Sequence, residues 1–542
     1  MIASTMTAED GQPTSPPPSL DHPTLGIPAE LLRIIFIFAA ISNGDNGRGP
    51  PPCTNISHVC RRWRAVALTS QELWSTCLPR QSTQWTTTCF SRTPSVLLDV
   101  LIGNGYLHDE NYGEAALNIL SQWPRVKSFR AGFARFFASH GGPLVEKSKA
   151  MVDTVFDTLK SANPDLEVLH FNFTIDAGIS GHWTPVSIPS DLFSGQRPPY
   201  LREVEFANCG LPASPPTPIF GSSLCSLRLF NTRAWVDVDS MIQYLRAVPM
   251  LEKLVYRFSR SPDESFDCQP SRTHQPRAVP LPRLNTLSLG GFWTQNMTIF
   301  IYIAAPSQCH LEVLHCDWDY QVDDMPEDAA LGLIALGAEA MKQHFMPATS
   351  QGVAFDSVLP LDFAIWAEAD SADLIQDALL PHKLELAIPQ TENRSIKRAV
   401  FDMILAQAAL TKTKSLSFDA ALSWLYPDCF DKYTEVRSII LSGHENTESF
   451  IGVIKLKGTT IFPMLSRVVL KHFYVEDLGL DLLRKLAKAL QNAHATTPEF
   501  ERIVLDDCHY VTDDIVEELR GQLGTERVEW VRRNDLNEGQ SP

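Results

Sequence analysis

The sequence predicts an α/β protein, a short N-terminal helical module followed by a degenerate repeat solenoid with a parallel sheet and outer helices. Three observations predict it. An apolar block from Leu25 to about Leu78 carries helical spacing, a short strand pattern recurs after about residue 120, and amphipathic stripes lie between the strands. A chain of 542 residues is also longer than one core usually organises, so a module plus a repeat array is the economical reading.

Residues 1–22 are rich in Thr, Ser and Pro, include Pro16, Pro17 and Pro18, and are expected to be disordered. The helical module spans 23–80. Pro28 suits a first helical turn, where a missing N–H costs nothing, and Glu30 lies near the positive helix end. Leu31, Leu32, Ile35, Phe36 and Phe38 follow at helical spacing. Glycines and prolines between Ser42 and Pro52 force a loop. A second helix is expected from Ile56 to about Thr69, with Val59, Trp63, Val66 and Ala67 on one face and Arg61, Arg62 and Arg64 around it.

A connecting segment is assigned to 81–122 and the repeat domain to 123–533. The recurring unit is apolar-x-x-apolar-x-apolar. It reads Leu166/Leu169/Phe171, Leu201/Val204/Phe206, Leu224/Leu227/Leu229, Leu251/Leu254/Tyr256, Leu284/Leu287/Leu289 and Leu311/Leu314/Cys316. Later come Val436/Ile439/Leu441, Leu465/Val468/Leu470 and Phe500/Ile503/Leu505. The last two positions of each unit face one side of a strand, and stacking neighbours is how such faces are buried.

Between strands, Val152/Val155/Phe156/Leu159, Val238/Met241/Ile242/Leu245 and Leu478/Leu482/Leu486/Leu490 form helical stripes. Ile515, Val516 and Leu519 form the last, with Thr512 as N-cap ahead of Asp513 and Asp514. Each unit is therefore expected to run strand, turn, helix. The stretch 321–380 breaks the pattern and reads as an insertion or enlarged helical repeat, and 257–282 as a long loop. Residues 534–542 form a disordered tail. Glu203, Arg228 and Lys253, between the strands' apolar residues, are expected on the concave face of the array.

Three sub-motifs in the module occur in a telling order: I-P-A-E-L-L-R-I-I-F from Ile27, I-S-H-V-C-R-R-W-R from Ile56, and E-L-W from Glu72. This stretch resembles the F-box family. The resemblance implies a helical unit that docks on a Skp-type adaptor and, through it, a cullin scaffold. It places Pro28, Leu31, Leu32 and Ile35 in one part of the docking surface. Val59, Cys60 and Trp63 would form another part, or the core that shapes it. Trp74 and Trp63 read equally as core residues of a small bundle, and Cys60 as a packing residue.

The array is similar to cysteine-type leucine-rich repeats, most closely in F-E-R-I-V-L-D-D-C-H-Y-V-T-D-D from Phe500, where Cys508 holds the turn after the strand. Cys209 holds the same place after Leu201. Together the resemblances imply a substrate receptor of a ubiquitin ligase complex, with an unknown protein target on the repeats, and not an enzyme. The alternative is a non-catalytic repeat scaffold whose F-box is vestigial or serves another assembly.

The rest of the sequence fits that reading. A net charge of −17, from 46 basic and 63 acidic residues, disfavours nucleic acid as main partner. The N-terminus lacks a signal-peptide pattern, and the longest apolar run, Ile34 to Ile41, is too short to span a bilayer. Eleven irregularly spaced cysteines argue against a disulfide framework and for the cytoplasm or nucleus. The sequons at Asn55, Asn172 and Asn296 therefore read as chance. No cofactor, metal or catalytic motif is found. Cys309, His310, His315 and Cys316 cluster without zinc-like pairs, and the acidic run from Asp317 to Asp328 reads as a solvated surface.

Overall fold

The computed structural model describes residues 27–42, 50–133, 143–173, 185–212, 218–258, 266–313, 323–345, 352–356, 364–368, 384–418, 427–494 and 500–531, apart from a few short interruptions. The two expected disordered ends, Leu314, His315, Cys316, Asp317, Asp319 and much of 321–380 lie outside the described residues.

Five helices build the N-terminal module: α1 (Ala29–Ser42), α2 (Pro52–Ser57), α3 (Arg61–Thr69), α4 (Gln71–Trp74) and α5 (Thr83–Ser91). The Leu32 amide donates to the Pro28 carbonyl at 3.0 Å, so Pro28 stands at the cap position, one place before the first turn. The helix expected from Ile56 to Thr69 is two helices. Cys60 is extended at φ −156°, ψ 169°, and its sulfur accepts from the Trp63 amide, ending one helix and capping the next. Val59 therefore sits in the break, off the Trp63 face. Trp74 is core: its indole N–H donates to the Ala67 carbonyl at 2.9 Å and the Arg92 guanidinium lies 4.0 Å above its ring.

Beyond the module the strands are β1 (Leu98–Ile102), β2 (Val126–Phe133), β3 (Val168–Phe173), β4 (Val186–Ser187), β5 (Glu203–Ala207), β6 (Cys209–Gly210), β7 (Ser226–Phe230), β8 (Lys253–Phe258), β9 (Val279–Pro280) and β10 (Thr286–Gly291). They continue as β11 (Ile303–Ala304), β12 (His310–Val313), β13 (Gly352–Asp356), β14 (Ala364–Glu368), β15 (Leu384–Ala387), β16 (Ser415–Phe418), β17 (Ser438–Ser442), β18 (Arg467–Lys471), β19 (Arg502–Asp506) and β20 (Val528–Val531). Sixteen of them form one sheet in the order β1-β2-β3-β5-β7-β8-β10-β12-β15-β14-β13-β16-β17-β18-β19-β20. Pairing is parallel except at β13–β14 and β14–β15. The sheet begins inside the segment assigned as a connection. The chain leaving the module caps its first edge, because the Asp99 amide donates to the Ser75 carbonyl and Leu78 exchanges backbone hydrogen bonds with Asp99 and Leu101.

Where burial is described, the strands of the large sheet bury their inward residues against the helices in one core. Val152, Val155, Phe156 and Leu159 are buried there, as are Val238, Met241, Ile242 and Leu245. In the helix Asp477–His494 the buried line is Leu483, Leu486, Leu490 and Ala493; Leu482 is only partly buried, because a strict four-residue step drifts around a 3.6-residue helix. Thr512 occupies the cap of the helix Asp513–Leu523 without a side-chain hydrogen bond. The strand, turn, helix order holds after β2, β7, β10, β17, β18 and β19, whereas the described residues of 208–225 and 259–285 contain no α-helix.

A shared turn follows several strands. Asn208, Asn231, Gly291, Gly443 and His472 all stand two places beyond the last inward apolar residue and all have positive φ. One place further, the Thr232 hydroxyl donates to the Phe206 carbonyl at 2.8 Å, and the Cys508 thiol donates to the Leu470 carbonyl at 3.3 Å. Cys209, in that same place, is fully buried, and burial pushes its thiol up to about 12. At Thr232 and Cys508 a small side chain with an O–H or S–H donor thus ties one unit to the one before, whereas Phe292, His444 and Phe473 hold the same place after Gly291, Gly443 and His472.

At β12 the expected frame is wrong. Register pairs Leu287 with Leu311 and Leu289 with Val313, so Leu311 and Val313 are the inward pair. Gln308 takes the first position of that unit, and the missing apolar residue is why the pattern slid three places on. The stretch 321–380 contributes the helix Glu327–Phe345 together with β13 and β14, so it adds strands to the sheet as well as a helix.

The helix Trp293–Tyr302 is buried on every face, Asn296 included, which closes that sequon to any glycan. His344, on the helix that covers it, lies edge-on to Phe300, 6.0 Å between ring centroids. Desolvation, with Arg277 nearby, pushes the His344 imidazole down to about 4 from 6.5. Below pH 6.5 the unfolded chain takes up a proton that the folded chain refuses until about pH 4. Stability should therefore fall as pH drops through that window, by about 3 kcal/mol in total. Urea unfolding at pH 7 and pH 5 should give a smaller pH difference for His344→Phe than for the wild type. Equal differences would remove His344 as the cause.

Candidate functional site

Two surfaces stand out. The first is on the module. Only Glu30, Arg33 and Ser42 are polar in α1, so the helix is apolar nearly all round. One stripe, Leu32, Phe36 and Ala40, is buried in the core. The opposite stripe, Leu31, Ile34, Ile35 and Phe38, faces solvent, with relative exposures of 51%, 48%, 47% and 65%. Val59 and Leu68 add exposed apolar area from the α2–α3 break and from α3. Arg33 pairs with Glu72, and the Arg62 guanidinium donates to the Ile27 carbonyl, which holds α1 against the following helices.

The residues expected to dock fall into three groups. Pro28, Leu31, Ile35, Val59 and Cys60 are exposed. Trp63 is half-buried with its ring 4.9 Å from that of Phe36, so it supports α1 from below. Leu32 is 1% exposed and belongs to the core, on the buried stripe with Phe36 and Ala40, so it is not part of the exposed surface on which it was expected. Cys60 is a cap on the surface, where close packing was expected. Ile34, Phe38 and Leu68 were missed as surface residues. Their helical spacing was visible, but a helix apolar all round does not reveal which stripe its neighbours cover.

The second surface is the sheet face turned away from the helices. Glu203, Arg228 and Lys253 are on it and half-buried, as alternation requires. Its first strands carry paired charge. Arg130 meets Asp99 at 3.3 Å, His170 meets Glu203 at 3.3 Å, Arg228 meets Glu205 at 3.4 Å, and Arg257 meets Glu312 at 3.5 Å. The His170 ring, 3.3 Å from its carboxylate oxygen, holds the Glu203 carboxyl below its usual range. On the later strands Ile440, Val469 and Val504 form a separate apolar cluster on this face, flanked by Arg467, Lys471 and Arg502.

Among the described residues no group of three His, Cys, Asp or Glu side chains could hold a metal ion, and burial pushes the Cys309 thiol up to about 12. No described helix is long and apolar enough to cross a membrane. No protein-family model matches the chain, and no curated protein matches it.

Proposed function

We propose that the chain is a substrate-recognition subunit of a Skp-cullin-F-box type ubiquitin ligase, docking an adaptor through the α1 face and a target through the repeats. The observation that carries this reading is the double use of α1. A helix that already buries Leu32, Phe36 and Ala40 keeps a second apolar stripe in water, an unfavourable exposure best explained by a partner that covers it. The ordered I-P-A-E-L-L, V-C-R-R-W and E-L-W motifs lie on that same module and resemble the F-box. The leucine-rich-repeat-like reading of the rest is supported by strands stacked in chain order on either side of the reversed β13–β15, left-handed turn residues after several of them, and the Thr232 and Cys508 ties between units.

Co-expression of the full chain with a Skp-type adaptor should give a complex that survives purification. Leu31→Asp/Ile35→Asp should abolish it while the far-UV circular dichroism stays unchanged. Undiminished adaptor binding by that folded variant would sink the docking assignment. A stable complex whose bound partners are neither ubiquitinated in a reconstituted reaction nor raised by ligase inhibition would select the scaffold reading.

A further inference from the structure

The open sheet face carries a row of donors that runs across the strands. Register aligns Ser226, Lys253, Thr286 and His310 on β7, β8, β10 and β12. In the same row after the strand reversal come Ser415, Ser438, Arg467 and Arg502 on β16 to β19. All eight are half-buried or exposed and each can donate a hydrogen bond; the row is bounded on β5 by Glu203, which registers with Ser226 and is already met by His170 and Arg228. Among the described residues Lys253 and Arg467 have no acidic partner within 4 Å, although the protein as a whole is strongly acidic. Two polar atoms of the row, Ser226 Oγ and Arg467 Nε, are shielded from water with no hydrogen-bond partner. Of the Lys and Arg side chains in the row, Arg502 is paired, with Glu529 at 2.7 Å, whereas in the neighbouring row Arg130, Arg228 and Glu312 are all engaged in the ion pairs already described.

We infer that this row is the docking line for an acidic, extended segment of a protein partner, lying across the strands and recognised through its carboxylates. The inference rests on the reading that the repeats receive the target, and it adds the target's chemistry. Four strands at ~4.8 Å spacing span about 14 Å, the reach of four to five extended residues, so each half of the row suits a short acidic stretch. Single-stranded nucleic acid fits less well, because the row has no Phe, Tyr or Trp to stack a base.

The test uses the full chain and a fluorescein-labelled deca-glutamate peptide, followed by fluorescence anisotropy at low salt. The wild type should bind, and Lys253→Glu/Arg467→Glu should weaken binding at least tenfold. Lys253→Gln/Arg467→Gln should fall between them. Lys432→Glu/Lys488→Glu, at exposed positions off this face, should stay within twofold of wild type. Urea midpoints would confirm that each variant is folded. Absence of peptide binding, binding unchanged in the Lys253/Arg467 variants, or tighter binding of a ten-nucleotide oligothymidylate would overturn the proposal. The Leu31→Asp/Ile35→Asp variant should bind the peptide like wild type, so a failure of adaptor docking and a failure of the donor row are separately visible.

Discussion

Gly291→Ala is expected to destabilise the protein by on the order of 3–5 kcal/mol. Gly291 closes β10 with φ +112°, a conformation open to almost no side chain, and a Cβ built there would lie 1.8 Å from the Phe258 carbonyl oxygen. That oxygen belongs to the backbone of β8, and Phe258 is the registered partner of Gly291. Relief would require separating two central strands just before the fully buried helix Trp293–Tyr302. Gly443 is the control. It occupies the equivalent turn after β17 at φ +77°, but a Cβ there meets nothing within 4 Å, so Gly443→Ala should cost only the left-handed strain, roughly 1–2 kcal/mol. Urea unfolding of both variants decides the matter: a Gly291→Ala protein no less stable than Gly443→Ala would mean that the strands yield at this point.

The strands were legible where the repeat kept its full apolar signature. Leu201/Val204/Phe206 and Leu465/Val468/Leu470 bury as their spacing requires. Recognition failed where one position of the unit was given to another residue. β16 opens with buried Thr413 in place of a leucine, β2 ends its unit on Ala131, and β20 buries only Val528. The turn after the strand was half legible. Cys209 and Cys508 stood out, whereas Thr232 makes the same type of tie with a hydroxyl that a search for Cys or Asn passes over. The helix break at Cys60 was hidden for a similar reason, since a thiol capping an amide leaves no signature distinct from ordinary packing. The donor row lay further still from sequence reasoning: its members are scattered from Ser226 to Arg502 and become neighbours only through strand register.

The module offers the sharpest contrast between adjacent, chemically identical residues. Leu32→Asp should unfold it, because a carboxylate at a 1%-exposed position finds no cation among Phe36, Ala40 and the rest of that stripe, a change costing on the order of 3–5 kcal/mol. Leu31→Asp, half exposed on the other stripe, should leave the fold within about 0.5 kcal/mol of wild type. It should still weaken adaptor binding strongly, as loss of an apolar anchor typically costs about 2 kcal/mol or more. A pull-down alone would score both as losses, so the discriminating measurement is amide hydrogen exchange. The chain leaving the module caps the sheet edge: the Asp99 amide is bonded to the Ser75 carbonyl and the Leu101 amide to the Leu78 carbonyl, at 2.9 and 2.7 Å. If Leu32 holds the module together, Leu32→Asp must release that strap and accelerate exchange at Asp99 and Leu101, while Leu31→Asp leaves both protected. Unchanged protection in Leu32→Asp would mean that the edge is held by the sheet alone and that the module is a separable appendage.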